Sequence, residues 1–266
     1  MGWDSGSQAW GGAAPSGGGG GGGGGSVSPI LDWQLIDTTA MTKTTPDAMQ
    51  VSSEALNSGT GMVTYTFAAL GSGDADAKYN LSGSGAEYPR YSSSLVDSAG
   101  VQLTTDDTFV MFVRLSEFDT TVPSSADLRI AVGLCLSPTA TTTGAFDGYG
   151  IGMRSRAASR VGATFKADTT SAGFGSYSST ATDTIFGSIQ RTTRRLGALI
   201  TFGEDSDGGT ISPSTGRTTA VVSNTALSAG SNYSLFVAIG TNSNSGTIAA
   251  GQTLGFRADY AIKRLR

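Results

Sequence analysis

Apolar and polar residues alternate with a period of two along most of the chain from residue 29 onward. In LRIAVGLCL (128–136), Leu128, Ile130, Val132, Leu134 and Leu136 alternate with Arg129, Ala131, Gly133 and Cys135. Near the C-terminus, TLGFRADYAIKRL (253–265) sets Leu254, Phe256, Ala258, Tyr260 and Ile262 on one side and Arg257, Asp259, Ala261 and Lys263 on the other. Successive side chains of a strand point to opposite faces, so this period predicts strands with one face on a core and one in water. MVTYTFAAL (62–70), FVMFVRL (109–115), YGIGMRSR (149–156), RVGATFKA (160–167), LGALITFG (196–203) and NYSLFVAIG (232–240) read as further strands. Clusters of Gly, Ser, Asn and Asp separate them. The expected class is all-β, an antiparallel two-sheet sandwich or jelly roll.

Composition supports this reading. Residues that favour strands and turns are plentiful, whereas the Glu, Lys, Gln and Leu runs that build helices are scarce. At 266 residues the chain is long enough to bury a core without covalent staples. No fixed-period repeat runs through the β region, which argues against a solenoid or propeller. Two connections, SGSGAEYPRYSSSLVDSAG (82–100) and DTTSAGFGSYSSTATD (168–183), are long for a compact sandwich and point to functional or packed loops.

The first 28 residues break the pattern, so the chain divides into an extended arm (1–28) and a β-sandwich domain (29–266). The arm has one charge, Asp4, two tryptophans, Trp3 and Trp10, and nine consecutive glycines, Gly17 to Gly25. A segment with no core of its own cannot bury an indole against itself, so the tryptophans read as anchors for another surface or for the domain behind them. Ordering glycine costs more backbone entropy than ordering any other residue. The run is therefore either a flexible tether or an extended path held by neighbouring copies. In the second case Gly17, Gly21 and Gly25 allow close backbone approach, as only glycine does at the axis of a bundle.

Charge is scarce and unevenly placed. Only 14% of residues are charged. Residues 1–133 carry 14 acidic and 5 basic side chains, while residues 134–266 carry 7 and 12, in a chain of net charge −4. Halves of opposite sign suit contacts between copies as well as a merely uneven surface. The basic clusters RSRAASR (154–160) and RTTRR (191–195) lack interleaved aromatics, and a pI near 4.8 gives no global basic field, so nucleic acid is not an expected partner. The sequence predicts neither a secretory signal nor membrane insertion.

Chemistry is thin. There is no histidine, which removes Ser-His-Asp and Cys-His catalysis and imidazole zinc sites. Cys135, the single cysteine, reads as a small buried hydrophobe. Neither G-x-S-x-G nor a phosphate-binding G-x-x-x-x-G-K-[ST] occurs. A glycosidase needs only two carboxylates, and Glu87, Glu117, Asp147 and Asp183 are available, but no spacing pairs them. GEDSDGG (203–209) gathers Glu204, Asp205 and Asp207, with Asp74 and Asp76 in GDADA (73–77). Such carboxylates suit Ca2+ and equally suit a hairpin turn, and the turn is the expectation, with no metal or other cofactor. Tyr88, Tyr91, Phe146, Tyr149, Phe174 and Tyr177 lie in or beside Gly/Ser-rich stretches, where rings stack on sugars or pack between subunits.

An arm with tryptophans, a polyglycine run and a His-free, Ser/Thr/Gly-rich β domain together resemble the virion appendage proteins of tailed bacteriophages, such as tail fibres and capsid-surface decorations. In that group concanavalin A-like and jelly-roll sandwiches are common. The resemblance implies a non-enzymatic virion structural protein, made without a signal peptide. Its arm would dock on the particle, and its partners would be other virion proteins and copies of itself in a homo-oligomer, a trimer among the options. A carbohydrate-binding adhesin contacting a host surface glycan is the alternative, and a glycan-cleaving enzyme the third reading.

Overall fold

The computed structural model describes residues 31–44, 51–68, 90–123, 126, 128–139, 148–156, 159–167, 172–177, 185–192, 195–206, 210–220, 230–240 and 248–265. For Tyr149 and from Arg154 to Ala220 the description is of backbone only. The arm, with Trp3, Trp10, Gly17, Gly21 and Gly25, lies outside the described residues, and so does the boundary expected at residue 28.

The described chain is built from fifteen strands and one turn of 3-10 helix, Thr38–Ala40. In order the strands are β1 (Gln34–Leu35), β2 (Thr42–Thr44), β3 (Val51–Asn57), β4 (Met62–Phe67), β5 (Arg90–Ser94), β6 (Phe109–Thr120), β7 (Arg129–Cys135) and β8 (Gly148–Arg156). They continue as β9 (Ser159–Ala167), β10 (Ala172–Tyr177), β11 (Ile185–Thr192), β12 (Arg195–Ser206), β13 (Thr210–Ala220), β14 (Ser234–Gly240) and β15 (Thr253–Arg264). An eight-stranded sheet runs β13-β12-β11-β6-β15-β4-β3, with β1 also on β15, and a seven-stranded sheet runs β10-β9-β8-β7-β14-β5-β2. Every pairing is antiparallel. The result is the two-sheet, jelly-roll-like sandwich expected from the period of two.

All eight strands read from the alternation are present. Sequence reading did not single out β1, β2, β3, β11 or β13, and it took two further strands for loop: β10, inside the supposed 168–183 loop, and β5, inside the supposed 82–100 loop. Both carry few branched apolar residues (AGFGSY and RYSSS), so they lack the alternation that marks a strand locally and are held by their neighbours' ladders.

The core forms where the inward rows of β6, β15 and β4 meet those of β7 and β14. Phe109, Met111, Val113 and Leu115 are buried along β6. The phase then slips: Glu117 takes φ 51 at a bulge between Gly255 and Arg257 of β15, so Phe118 rather than an odd-numbered residue turns inward. Aromatic rings fill the centre. Tyr65 stacks on Phe256 at 5.5 Å between centroids and meets Tyr91 at 5.6 Å, while Phe109 meets Tyr233 edge-on at 5.7 Å.

The expectation of one wet face fails for β7. Its whole length is buried, Arg129, Ala131, Gly133 and Cys135 included, so the seven-stranded sheet is closed to solvent on both faces around β7 and β14. Small residues permit this. A Cβ at Gly150 would run into the carbonyl of Val132, its carbon 2.9 Å away, so β8 lies against β7 more closely than any other residue would allow. On β15, Asp259 and Ala261 are likewise buried rather than solvated. There the N-terminal segment continues the edge of the sheet beyond β4: β1 pairs with Tyr260 and Asp259, Ile36 N–H bonds Ala258 O at 2.9 Å, and the Trp33 ring covers the Arg114 guanidinium at 4.8 Å.

Candidate functional site

The aromatic residues considered for ligand contact are dispersed. Tyr91 is in β5, not in a loop, and its ring is fully buried in the core, so it offers no face to a sugar. Tyr149 stands in β8 opposite Leu134, and Tyr177 ends β10 opposite Ala163, beyond a register shift. Phe174 pairs with Phe165. Tyr88, Phe146, Glu87, Asp147 and Asp183 lie outside the described residues. Glu204 and Asp205 belong to β12, opposite Ser212 and Ile211, and Asp207 falls outside the described residues between β12 and β13. Among the described residues no group of three or more His, Cys, Asp or Glu side chains is placed to hold a metal ion, and no helix is long and apolar enough to cross a membrane.

Several described carboxylates are engaged in joining strands. Asp259 is 1% exposed and accepts from Arg114 Nε and Nη2 at 3.1 and 2.9 Å and from Arg257 Nε and Nη2 at 2.9 and 3.0 Å. The hydrogen bond to Asp259 holds the Arg257 guanidinium above its ordinary proton affinity, and Arg257 Nη1 also donates to Thr60 O in the β3–β4 turn. Glu54 on β3 accepts from Lys43 Nζ at 2.6 Å and Tyr91 OH at 2.9 Å, tying one edge of the eight-stranded sheet to the edge of the other. Burial pushes both Tyr65 and Tyr91 far above the usual phenol range, so each stays protonated and neither serves as a base.

A third cluster, with two carboxylates, closes on Arg264 at the end of β15. Asp97 accepts from Arg264 Nε at 2.8 Å and from the N–H groups of Ala99 and Val101, while Asp107 accepts from Thr104 and from Arg264 Nη1. Partial burial opposes ionisation at each, but those hydrogen bonds outweigh it and hold both carboxyls below the ordinary value of 3.8. A depressed carboxylate contributes stability above its unfolded pKa that is lost as pH falls through its folded pKa. Melting temperature is therefore expected to decline as pH drops below roughly 4, and less steeply in Asp97→Asn/Asp107→Asn. Equal slopes would show that the Arg264 cluster does not govern acid stability.

Charge separates between the sheets in a way the linear halves do not show. The strands of the seven-stranded sheet carry Lys43, Arg90, Arg129, Arg154, Arg156, Arg160 and Lys166 and no aspartate or glutamate. In the eight-stranded sheet, cations are interspersed with Glu54, Glu117, Asp119, Glu204, Asp205 and Asp259. The β7–β8–β9 register sets Arg129 opposite Arg154, with Ser155 opposite Arg160 and Arg156 opposite Ser159. Sequence reading singled out RSRAASR but could not see Arg129 join it, because that meeting depends on the β7–β8 pairing.

No protein-family profile matches the chain, and no curated protein matches it. Among solved structures, it is similar to the CBM2 module of the evolved Dit of Lactobacillus casei BL23 phage J-1, with 11% identity, 83% of each chain covered and a TM-score of 0.43. It is similar to an alginate lyase from Corynebacterium sp., with 13% identity over 84% of this chain and 83% of that one and a TM-score of 0.43. It is also similar to the lectin UEA-II in complex with galactose, with 8% identity over 88% of this chain and 99% of that one and a TM-score of 0.39. Likenesses of this extent assign no role to any residue of this chain.

Proposed function

We propose that the chain is a non-catalytic β-sandwich module that binds carbohydrate. The observation that carries this reading is the engagement of four described carboxylates in joining strands. Asp259, Glu54, Asp97 and Asp107 each accept from cations that link strands, so they serve the geometry of the sheets. Glycoside cleavage by a carboxylate pair instead requires one acid held protonated and one free base across a common opening. On β2, β5, β7 and β14 of the seven-stranded sheet the exposed side chains are Thr42, Lys43, Ser93 and Ser94, hydroxyls and a cation that hydrogen-bond the hydroxyls of a saccharide. The test is affinity electrophoresis of the full chain through gels of neutral and acidic polysaccharides, with release of reducing ends followed in parallel. Retardation without product release is expected. Product release would make the chain an enzyme, and free passage through every polysaccharide would overturn the reading.

The arm favours a second, compatible reading, in which the module is displayed on a phage particle. Trp3, Trp10 and nine glycines precede a segment, Trp33 to Ile36, that is paired along the edge of β15. Such an arm joins the domain to another body or to its own copies. Light scattering on the full chain and on the chain lacking residues 1–28 tests this: a loss of oligomer mass is expected, and equal masses with unchanged particle incorporation would overturn it.

A further inference from the structure

We infer that the saccharide taken by this module is uncharged and that it is met on the outer face of the eight-stranded sheet, stacked on Trp33 and Phe112. The inference rests on the binding reading above and adds a site and a class of ligand. The ladders bring these two rings to one place. Gln34 pairs with Tyr260 and Leu35 with Asp259, so Trp33, one residue earlier, comes beside Ala261, and Ala261 pairs on its other side with Phe112 of β6. Tyr260, Met111 and Val113 are core residues, so Ala261 and Phe112 belong to the opposite, outer row. Trp33 reaches that row as well, because its ring lies 4.8 Å from the Arg114 guanidinium, which bonds the outward-facing Asp259. Ala261, flanked by the two rings, is fully buried, whereas Trp33, Phe112 and Val110 keep part of their surface in water and Leu35 is 40% exposed.

An aromatic ring offers a flat apolar body to the C–H face of a pyranose, while polar groups around it hydrogen-bond the sugar hydroxyls. Here those groups are Arg114, Arg257 and Lys263 together with Asp32, Glu117 and Asp259. Cations and carboxylates balance, and Arg114 and Arg257 are already drawn to Asp259, so the face has no net pull on an acidic polysaccharide or a nucleic acid. A second copy of the chain, or the arm, fits less well. Either would strip water from these charges, and the arm brings only Asp4 to compensate. A neutral saccharide leaves the charges hydrated and the ion pairs intact.

The experiment measures binding of the full chain to a β-glucan, dextran and polygalacturonate at low and high salt. It compares the wild type with Phe112→Ala, with Trp33→Phe and with Val101→Ser, an exposed apolar residue in the β5–β6 connection. The wild type is expected to bind a neutral polysaccharide with little dependence on salt. Phe112→Ala is expected to lose about tenfold in affinity, Trp33→Phe no more than about threefold, and Val101→Ser nothing. Should Phe112→Ala melt early, fluorescence decides: in a Trp3→Phe/Trp10→Phe background Trp33 is the only indole, and saturating neutral polysaccharide is expected to shift its emission to the blue. Emission unmoved by bound polysaccharide, undiminished binding by a stable Phe112→Ala, or retention by polygalacturonate alone would each overturn the assignment while leaving a binding module in place. So would a fall in the oligomer mass of Phe112→Ala, which would make the face a contact between copies, or a gain in affinity in Trp3→Ala/Trp10→Ala, which would make it the seat of the arm. Failure to bind any saccharide would instead remove the carbohydrate reading itself.

Discussion

Phe256→Ala is expected to lower the stability of the sandwich by about 3–5 kcal/mol, the usual cost of truncating a buried aromatic residue. Phe256 is 2% exposed, on the strand that pairs with β6, β4 and β1. Its ring stacks on Tyr65, which in turn meets Tyr91 of the opposite sheet, so the truncation opens a cavity between layers that two further rings line. Collapse into that cavity is restricted. The Tyr65 hydroxyl is held by Thr38 Oγ1 at 2.6 Å and the Tyr91 hydroxyl by Glu54, so neither ring can swing inward without giving up a buried hydrogen bond. Urea denaturation measures the effect through the shift in midpoint at constant slope. A loss below about 1 kcal/mol would mean that the two layers are not joined through this ring stack.

Asp259→Ala is expected to cost about 2–4 kcal/mol, although the residue lies on the outer face of its sheet. Removing a buried carboxylate from between two guanidiniums leaves their charges facing each other. The cost is less than for a wholly buried triad because the Arg114 and Arg257 side chains are 27% and 34% exposed and regain some water. Three pieces of chain loosen together: Arg114 on β6, Arg257 with its bond to the β3–β4 turn, and Trp33 over Arg114. Asp259→Asn keeps the shape and one acceptor, so it is expected to fall between wild type and alanine. The Trp33 fluorescence change on unfolding provides a second readout, although Trp3 and Trp10 contribute to the same signal and are replaced by phenylalanine in the measured background. An unchanged midpoint in Asp259→Ala would show that β1 and β15 alone hold the N-terminal segment.

Alternation was sufficient to place β4, β6, β7, β8, β9, β12, β14 and β15, because a half-buried strand must repeat every second residue whatever it pairs with. It did not single out β1, β2, β3, β11 or β13, and it was insufficient for β5 and β10, whose residues carry little apolar signal and whose extended form is imposed by neighbours. It also misjudged the surroundings of strands it located correctly. Arg129 stands at a polar position of a clean alternation and is nonetheless buried, and Asp259 looked like a solvated carboxylate and is the acceptor of a two-arginine clamp, whereas Cys135 is buried as its reading required. Tyr91, read from its Gly/Ser-rich flank as a loop aromatic, is part of the core.

The sequence by itself determined that this protein is an all-β sandwich with a core made from the inward rows of its strands, and that imidazole chemistry is closed to it for want of histidine. Both follow from local properties, the period of the side chains and the inventory of functional groups. Only the tertiary structure decided where β6 slips phase at Glu117, that both faces of β7 are covered, and that Arg129 stands across from Arg154 in a sheet whose strands hold no carboxylate. The reason is physical. A strand's own residues specify which of them share a face, but its partner and register are set by the packing of the whole sheet, and one residue of slip exchanges every side chain between faces. Charge that looks like an acidic first half and a basic second half in the sequence is therefore sorted by sheet in the fold.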